Sequence, residues 1–384
     1  MDYPTVNFHG HDYEIVNGKL YVFDFDHSRS SKISDIKGLE LLENIWSLHI
    51  NCNLKKIEGL NNLVNLRELR LEGNQIKKIE GLDQLKYLER LELGANPLKK
   101  IEKLDNLQSL FSLSLTECGL KKIEGLSNLT NLRELDIANN QISKIEGLNS
   151  LENLEILNLM TNKIKKISGL NNLQNLNVIR MHYNLLGNLE GLENLPNLRE
   201  FYAPNNKLKS LKGAQNLPNL IELFLTNNEI TDTSGLENLP KLEKINLSHN
   251  NISKITGLEN LPSLREISLY QNNFKLLDSA GFPQNLEILD IHSNKISKIG
   301  NMSRLRNLTE LNLATNQVKE TDNLKDLVNI RILNLYNNNI SVLKGLGNMI
   351  YAEEIKLNKN PLQVKNEINL NDAQEIVKYS ASLI

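Results

Sequence analysis

The chain has 384 residues, of which 44 are basic and 46 acidic, with a formal net charge of −2 and two cysteines. That balance gives no strong basic field, so neither nucleic acid nor a membrane is expected as a partner. No stretch approaches the roughly 18 apolar residues of a membrane span. The opening MDYPTVNFHGHDYE has no basic start and no apolar core for export. Cys52 and Cys118 form no CxxC pair and read as free thiols in a reducing compartment. The expectation is a cytoplasmic protein.

Residues 1–32 read as an N-terminal cap. Tyr13 to Val16, then Asn17-Gly18, then Lys19 to Phe23 has the pattern of a β-hairpin with a type I′ turn. Leu20, Phe23 and Phe25 imitate the Leu-x-x-Leu-x-Leu strand pattern that recurs through residues 33–365. His9 and His11 share one face of a possible strand and would make half a metal site. With no third ligand nearby they are read as cap surface, and no metal or other cofactor is expected.

Residues 33–365 repeat. Ile33, Ile36, Gly38, Leu39 and Leu42 form a first half-unit, and the first full unit starts at Ile45. From Leu66 the period is 22, through Leu88, Leu110 and onward to Ile330, giving 14 full units with Ile45. Leu132 to Asn153, LRELDIANNQISKIEGLNSLEN, serves as the template. Its Leu-x-x-Leu-x-Leu alternates at period two, a short strand with one buried face. Asn140 then turns the chain, its amide free to bond backbone where no ladder reaches. Ile142, Ile145, Leu148 and Leu151 are spaced for a loose or 3₁₀-like return. One coil cannot bury its own apolar face, so coils must stack. Cys118 replaces the turning Asn in one unit, and Asp278 to Gln284 loses the Gly-Leu return, as a kink or an inserted surface loop. Residues 366–384 change period. Asn371 or Asp372 can cap a helix carrying Ile376, Val377, Tyr379 and Leu383, a C-terminal cap.

This unit resembles a leucine-rich repeat, and its Asn-x-Ile-x-x-Ile-x-Gly-Leu form resembles that of the leucine-rich-repeat regulatory subunit of protein phosphatase 1. Bacterial internalins use a similar unit. The resemblance implies an α/β solenoid, a horseshoe or arc with a parallel β-sheet on the concave face and short 3₁₀ or irregular turns on the convex face. It also implies a monomeric, non-enzymatic protein–protein interaction scaffold. The first reading is a phosphatase-regulator-like adaptor, with a serine/threonine phosphatase catalytic subunit as partner. The alternative is a cell-surface adhesin of the internalin kind.

A search for catalytic motifs finds no phosphate loop, zinc helix, nucleophile elbow or Ca²⁺ loop. Two charge patterns recur. Arg67, Arg133, Arg199, Arg265 and Arg331 share one column at intervals of 66, which reads as duplication of three-coil blocks rather than a binding comb. Lys-Lys-Ile-Glu recurs from Lys55, Lys77, Lys99 and Lys121. Stacking makes a basic stripe that could attract an acidic partner. With Glu58, Glu80, Glu102 and Glu124 beside it, the expectation is a solvated, self-neutralised edge.

The columns flanking the second strand Leu point out of the sheet and are mostly small or polar, as at Ser114 and Asn312. Against them stand Met160, Arg180, His182, Tyr202, Phe224 and Tyr270, with Tyr183 one place on and His292 and Tyr336 in later coils. Nothing in the repeat needs aromatic groups facing solvent, and these types concentrate binding energy at interfaces. They are the candidate protein-binding residues, with docking centred on the coils that start at Leu154 to Leu220. The competing reading is a row of aromatics covering one another.

Overall fold

A short coil buries its apolar side chains only against the coils above and below it. The computed structural model describes residues 4–24, 31–364 and 368–383. The chain forms two compact units, Met1–Leu186 with Asn194–Leu198, and Gly187–Glu193 with Arg199–Ile384. Each is a solenoid of stacked coils with a parallel sheet along one side.

In the first unit, strands β1 (Thr5–Phe8) and β2 (His11–Glu14) pair antiparallel. Strand β3 (Lys19–Phe23) runs parallel to β4 (Ser47–Asn51), with Leu20 opposite Leu48 and Val22 opposite Ile50, all fully buried. Three-residue strands follow from Glu68–Arg70 to Val178–Arg180. Neighbours hold an unshifted register, as at Leu135 opposite Leu157. In the second unit the same strands run from Glu200–Tyr202 to Glu354–Lys356. Helix α1 (Ala373–Ala381) follows, its first turn capped by the Asp372 carboxylate, which accepts from Gln374 and Glu375 N–H. Its Ile376 and Val377 are buried, and Ser380 accepts a hydrogen bond from Leu346 N–H at 2.9 Å. Among the described residues no helix is long and apolar enough to cross a membrane.

The returning half of each coil makes bonds spanning three residues, as from Leu151 N–H to Leu148 O and from Leu154 N–H to Leu151 O, both 3.0 Å. Short 3₁₀ turns appear at Ile33–Asp35, Leu39–Leu41, Leu258–Asn260 and Asp322–Leu324. The glycine of this half is dictated by crowding. At Gly125, with φ of 69°, a Cβ would stand 2.6 Å from Ile101 O of the coil before.

The Asn column supplies what the sheet and the turns leave over. Asn162 is buried, accepts from Ile142 N–H of the preceding coil at 3.0 Å, and donates to Ile137 O there at 3.0 Å. It also donates to Leu159 O of its own coil at 3.1 Å. Asn228 does the same in the second unit, with Leu208, Ala203 and Leu225. Asn206 is buried and donates to Ala203 O at 3.1 Å. Cys118 has no oxygen to offer. Its Sγ donates to Leu93 O at 3.3 Å, and Leu98 N–H turns to Asn96 O instead. The residue before each Asn sits in the left-handed region, from Ala95 through Tyr183 to Lys359.

Four expectations are corrected. Asn17 and Gly18 do form a turn, with φ of 54° and 73°, but it closes on a single Val16–Lys19 bridge. The hairpin is β1–β2, because burying Leu20 and Val22 draws Lys19–Phe23 into the parallel sheet. Val22, not Phe23, is the second core residue there, and Phe25 lies outside the described residues. His9 sits in the β1–β2 turn with Nδ1 3.1 Å from an Asp24 oxygen, so it shares no strand face with His11. Asp278 to Gln284 is not an inserted surface loop. Phe282 and Ser279 are buried, and the preceding Leu276–Leu277 pairs in parallel with Lys298–Ile299 as a separate two-stranded sheet.

Four of the five arginines in the Arg column are answered from within the chain, while the position one coil after Arg199 is Ile221. Arg67 pairs with Glu89, Arg133 with Glu155 at 3.3 Å, Arg265 with Glu287 at 3.3 Å, and Arg331 with Glu353 at 2.6 Å. Each partner stands in the same column one coil later. These exposed pairs contribute about 0–1 kcal/mol each.

Replacing Asn162 with Leu strands the Ile142 amide and takes one of two donors from Ile137 O and from Leu159 O, which keep Asn140 and Asn184. At about 1–3 kcal/mol for a buried group left unpaired, urea denaturation is expected to show a loss of that size. An unchanged midpoint would contradict the role given to this column. Burial first, with Asp24 and Asp35 adding, pushes the Cys52 thiol up to about 12, and burial pushes Cys118 up to about 11. The fold therefore favours the protonated thiols. That contribution is fully present below the unfolded thiol value and is lost as pH rises through the folded ones. Both thiols should resist a thiol reagent in the native protein near pH 8 and react at once in denaturant.

Candidate functional site

Each short strand buries its middle residue and turns its two neighbours outward. Phe201 is fully buried while Glu200 and Tyr202 stand half-buried on the strand face. The columns singled out in the sequence therefore lie on this face. Each unit presents its own set.

In the first unit, Met160, Arg180 and His182 are half-buried, and Tyr183 is 57% exposed with φ of 55°. Burial, and secondarily Arg180, hold the His182 imidazole below its ordinary value. The first coils carry a cluster that the sequence reading missed. Phe23 meets His49 edge-on at 4.8 Å, Tyr21 lies 6.0 Å from the same ring, and His49 Nε2 is 3.0 Å from Glu72. Arg70 stands between Glu68 at 2.7 Å and Glu92 at 3.7 Å. Burial raises the Glu92 carboxyl, with Arg70 opposing. The period-two alternation of Lys19–Phe23 would have revealed Tyr21 and Phe23, had that segment been read as a strand of the sheet.

In the second unit, Tyr202 meets Phe224 edge-on with centroids 5.2 Å apart. The Tyr202 hydroxyl lies 2.7 Å from Glu222 and 3.0 Å from Glu200, two carboxylates in direct register. Burial and these carboxylates push the phenol well above its ordinary value. Further along, Tyr270 stacks on His292 at 4.6 Å and meets His249 edge-on at 5.0 Å. His292 Nδ1 is 2.6 Å from Asp290. Tyr336 lies under the Lys359 ammonium at 5.1 Å. Beside these rings the strand face holds a depression of about 280 Å³, lined by Ser268, Asp290, Asn312, Asn334 and Lys356. The face thus offers ring edges next to carboxylates, amides and an ammonium, a surface suited to a protein side chain. Among the described residues no cluster of three His, Cys, Asp or Glu could hold a metal ion.

Two further expectations change. Asn312 is not a plain position outside the patch, since it lines this depression and its Nδ2 is 3.4 Å from His292 Nδ1. The lysine edge is not self-neutralised. In the Lys-Lys-Ile-Glu columns only Lys100 has a carboxylate within ion-pair reach, Glu102 at 3.5 Å, among the described residues.

The family model described as leucine-rich repeat region matches residues 20–297, and that for leucine-rich repeats (2 copies) matches residues 284–326. No curated protein matches the chain. Among solved structures, an internalin (inlF) of Listeria monocytogenes is 27% identical with a TM-score of 0.66, over 88% of this chain and 92% of that one. A leucine-rich-repeat protein of Leptospira interrogans is 26% identical with a TM-score of 0.64, over 85% and 81%. The plant peptide hormone receptor RGFR1, solved in complex with RGF2, is 24% identical with a TM-score of 0.58, over 89% and 54%. That last likeness is one of fold alone.

Tyr202 is more than cover, so its truncation should not be silent. Tyr202→Phe keeps the ring and removes the hydroxyl between two aligned carboxylates. The expected cost is about 1–2 kcal/mol, read by denaturant unfolding, and no loss would show that the hydroxyl contributes nothing. At His182 the fold favours the neutral ring, so its contribution is present above the unfolded value and lost as pH falls. A partner carboxylate bonded there should strengthen binding as pH falls, and the strengthening should be complete only below the ordinary imidazole value of about 6.5. Strengthening already complete at pH 7 would contradict the lowered value.

Proposed function

The chain belongs to the leucine-rich-repeat family, and on that premise we propose that it is a binding scaffold whose strand face takes a protein partner. The observation that carries this reading is the row of ring pairs in the second unit, Tyr202 with Phe224 and Tyr270 with His292, on columns that are otherwise small or polar. The core does not need these rings. They pack on one another on the strand face, and ring groups of this kind dominate interfaces. Met160, Arg180, His182 and Tyr183 give the first unit a smaller set of the same kind.

Of the two finer readings, the adhesin of the internalin kind has the stronger support, because the likeness to inlF spans most of both chains. The phosphatase-regulator reading rests on the form of the 22-residue unit alone. The test is affinity purification from lysates of the native cell and of the cells it contacts, with the wild type, Tyr202→Ala/Phe224→Ala and Tyr270→Ala/His292→Ala. A partner bound on this face should be lost from one or both variants, each ring contributing about 2 kcal/mol or more at a hot spot. Partner identity then separates the two readings, a phosphatase catalytic subunit against a surface protein of another cell. Equal recovery with both variants would overturn the strand-face reading.

A further inference from the structure

A second surface of the first unit stands out by its unpaired charge. Lys55, Lys56, Lys77 and Lys78 line one depression of about 420 Å³, with Gln75 and Glu80. The same two columns continue one and two coils later through Lys99 and Lys100, then Lys121 and Lys122, and all of these lysines are exposed. Parallel stacking repeats them at about the 4.8 Å strand spacing. The eight lysines outnumber the four neighbouring glutamates, and among the described residues only Lys100 reaches a carboxylate at ion-pair distance. Like charges stacked this closely repel one another, and a bound anion relieves that repulsion.

We propose that this double lysine column binds an extended acidic segment of a partner protein. The band is two lysines wide, and Glu58, Glu80, Glu102 and Glu124 run along one side of it. That negative edge opposes a broad anionic surface such as a membrane or a duplex, but leaves room for one narrow chain. The columns contain no aromatic platform on which bases would stack and no arginine fork for phosphate, so single-stranded nucleic acid fits less well. Carboxylates projecting from an extended peptide meet flexible ammonium groups without demanding a fixed geometry. This surface is separate from the strand face and its assignment does not depend on that reading.

The experiment is anisotropy of a short fluorescein-labelled polyglutamate with the full chain, at low and at physiological salt. Binding is expected to weaken with salt, and Lys77→Gln/Lys78→Gln/Lys121→Gln should weaken it about tenfold. Lys241→Gln/Lys295→Gln, in the second unit, and Tyr270→Ala should leave it within about twofold. The three lysines are exposed, and an unchanged melting curve verifies that the triple variant is folded. The proposal is overturned if polyglutamate does not bind, or if the triple variant binds it as well as the wild type. It is equally overturned if oligothymidylate or phosphatidylserine vesicles bind more tightly than the peptide through the same lysines.

Discussion

The fold depends on how each coil settles its backbone where it leaves the strand. There the chain bends through a left-handed residue, and neither the ladder nor the three-residue turns can pair every amide and carbonyl. One asparagine side chain per coil fills both roles, accepting from the preceding coil and donating to that coil and its own, as Asn162 and Asn228 do. A leucine there would bury well and pair nothing. A cysteine pairs half, and around Cys118 the backbone rearranges to make up the difference. The bond is local to two coils, which is why it can be repeated without limit.

Because core and bend are satisfied coil by coil, neither fixes the residue type at the outward positions of the strands. That freedom lets Tyr202, Phe224, Tyr270 and His292 occupy columns where Ser and Asn serve elsewhere. It also lets charge be arranged in two ways along one unit. The Arg column is answered by a glutamate one coil on, and it presents paired charge. The lysine columns are not answered, and they present net positive charge. Two surfaces of different chemistry arise from the same repeat.

The stacked-coil architecture was legible because its causes are periodic. Leu columns, Asn column and Gly-Leu return each mark one physical demand at a fixed spacing. What failed to be legible was aperiodic or relational. Lys19–Phe23 satisfies a hairpin pattern and a parallel-strand pattern equally, and only the buried match of Leu20 and Val22 to Leu48 and Ile50 decides between them. Asp278 to Gln284 hides a core residue, Phe282, one place away from the repeat's own Leu position. The candidate binding residues were visible as departures from their columns. Their bonds were not visible, because the approach of Tyr202 to Glu200 and Glu222 depends on register between coils. The unpaired lysines likewise depend on where side chains reach, which composition cannot show.

Native-state hydrogen exchange tests the asparagine account most directly. The amides of Ile142 and Ile164 in the first unit, and of Ile230 and Ile252 in the second, lie outside the strands and donate to asparagine side-chain oxygens. If those bonds hold the coils together, these amides open only when neighbouring coils separate. They should then exchange as slowly as the strand amides of the same unit. Exchange as fast as that of exposed turn amides would show that the asparagine bonds are incidental, and that leucine packing alone sustains the stack.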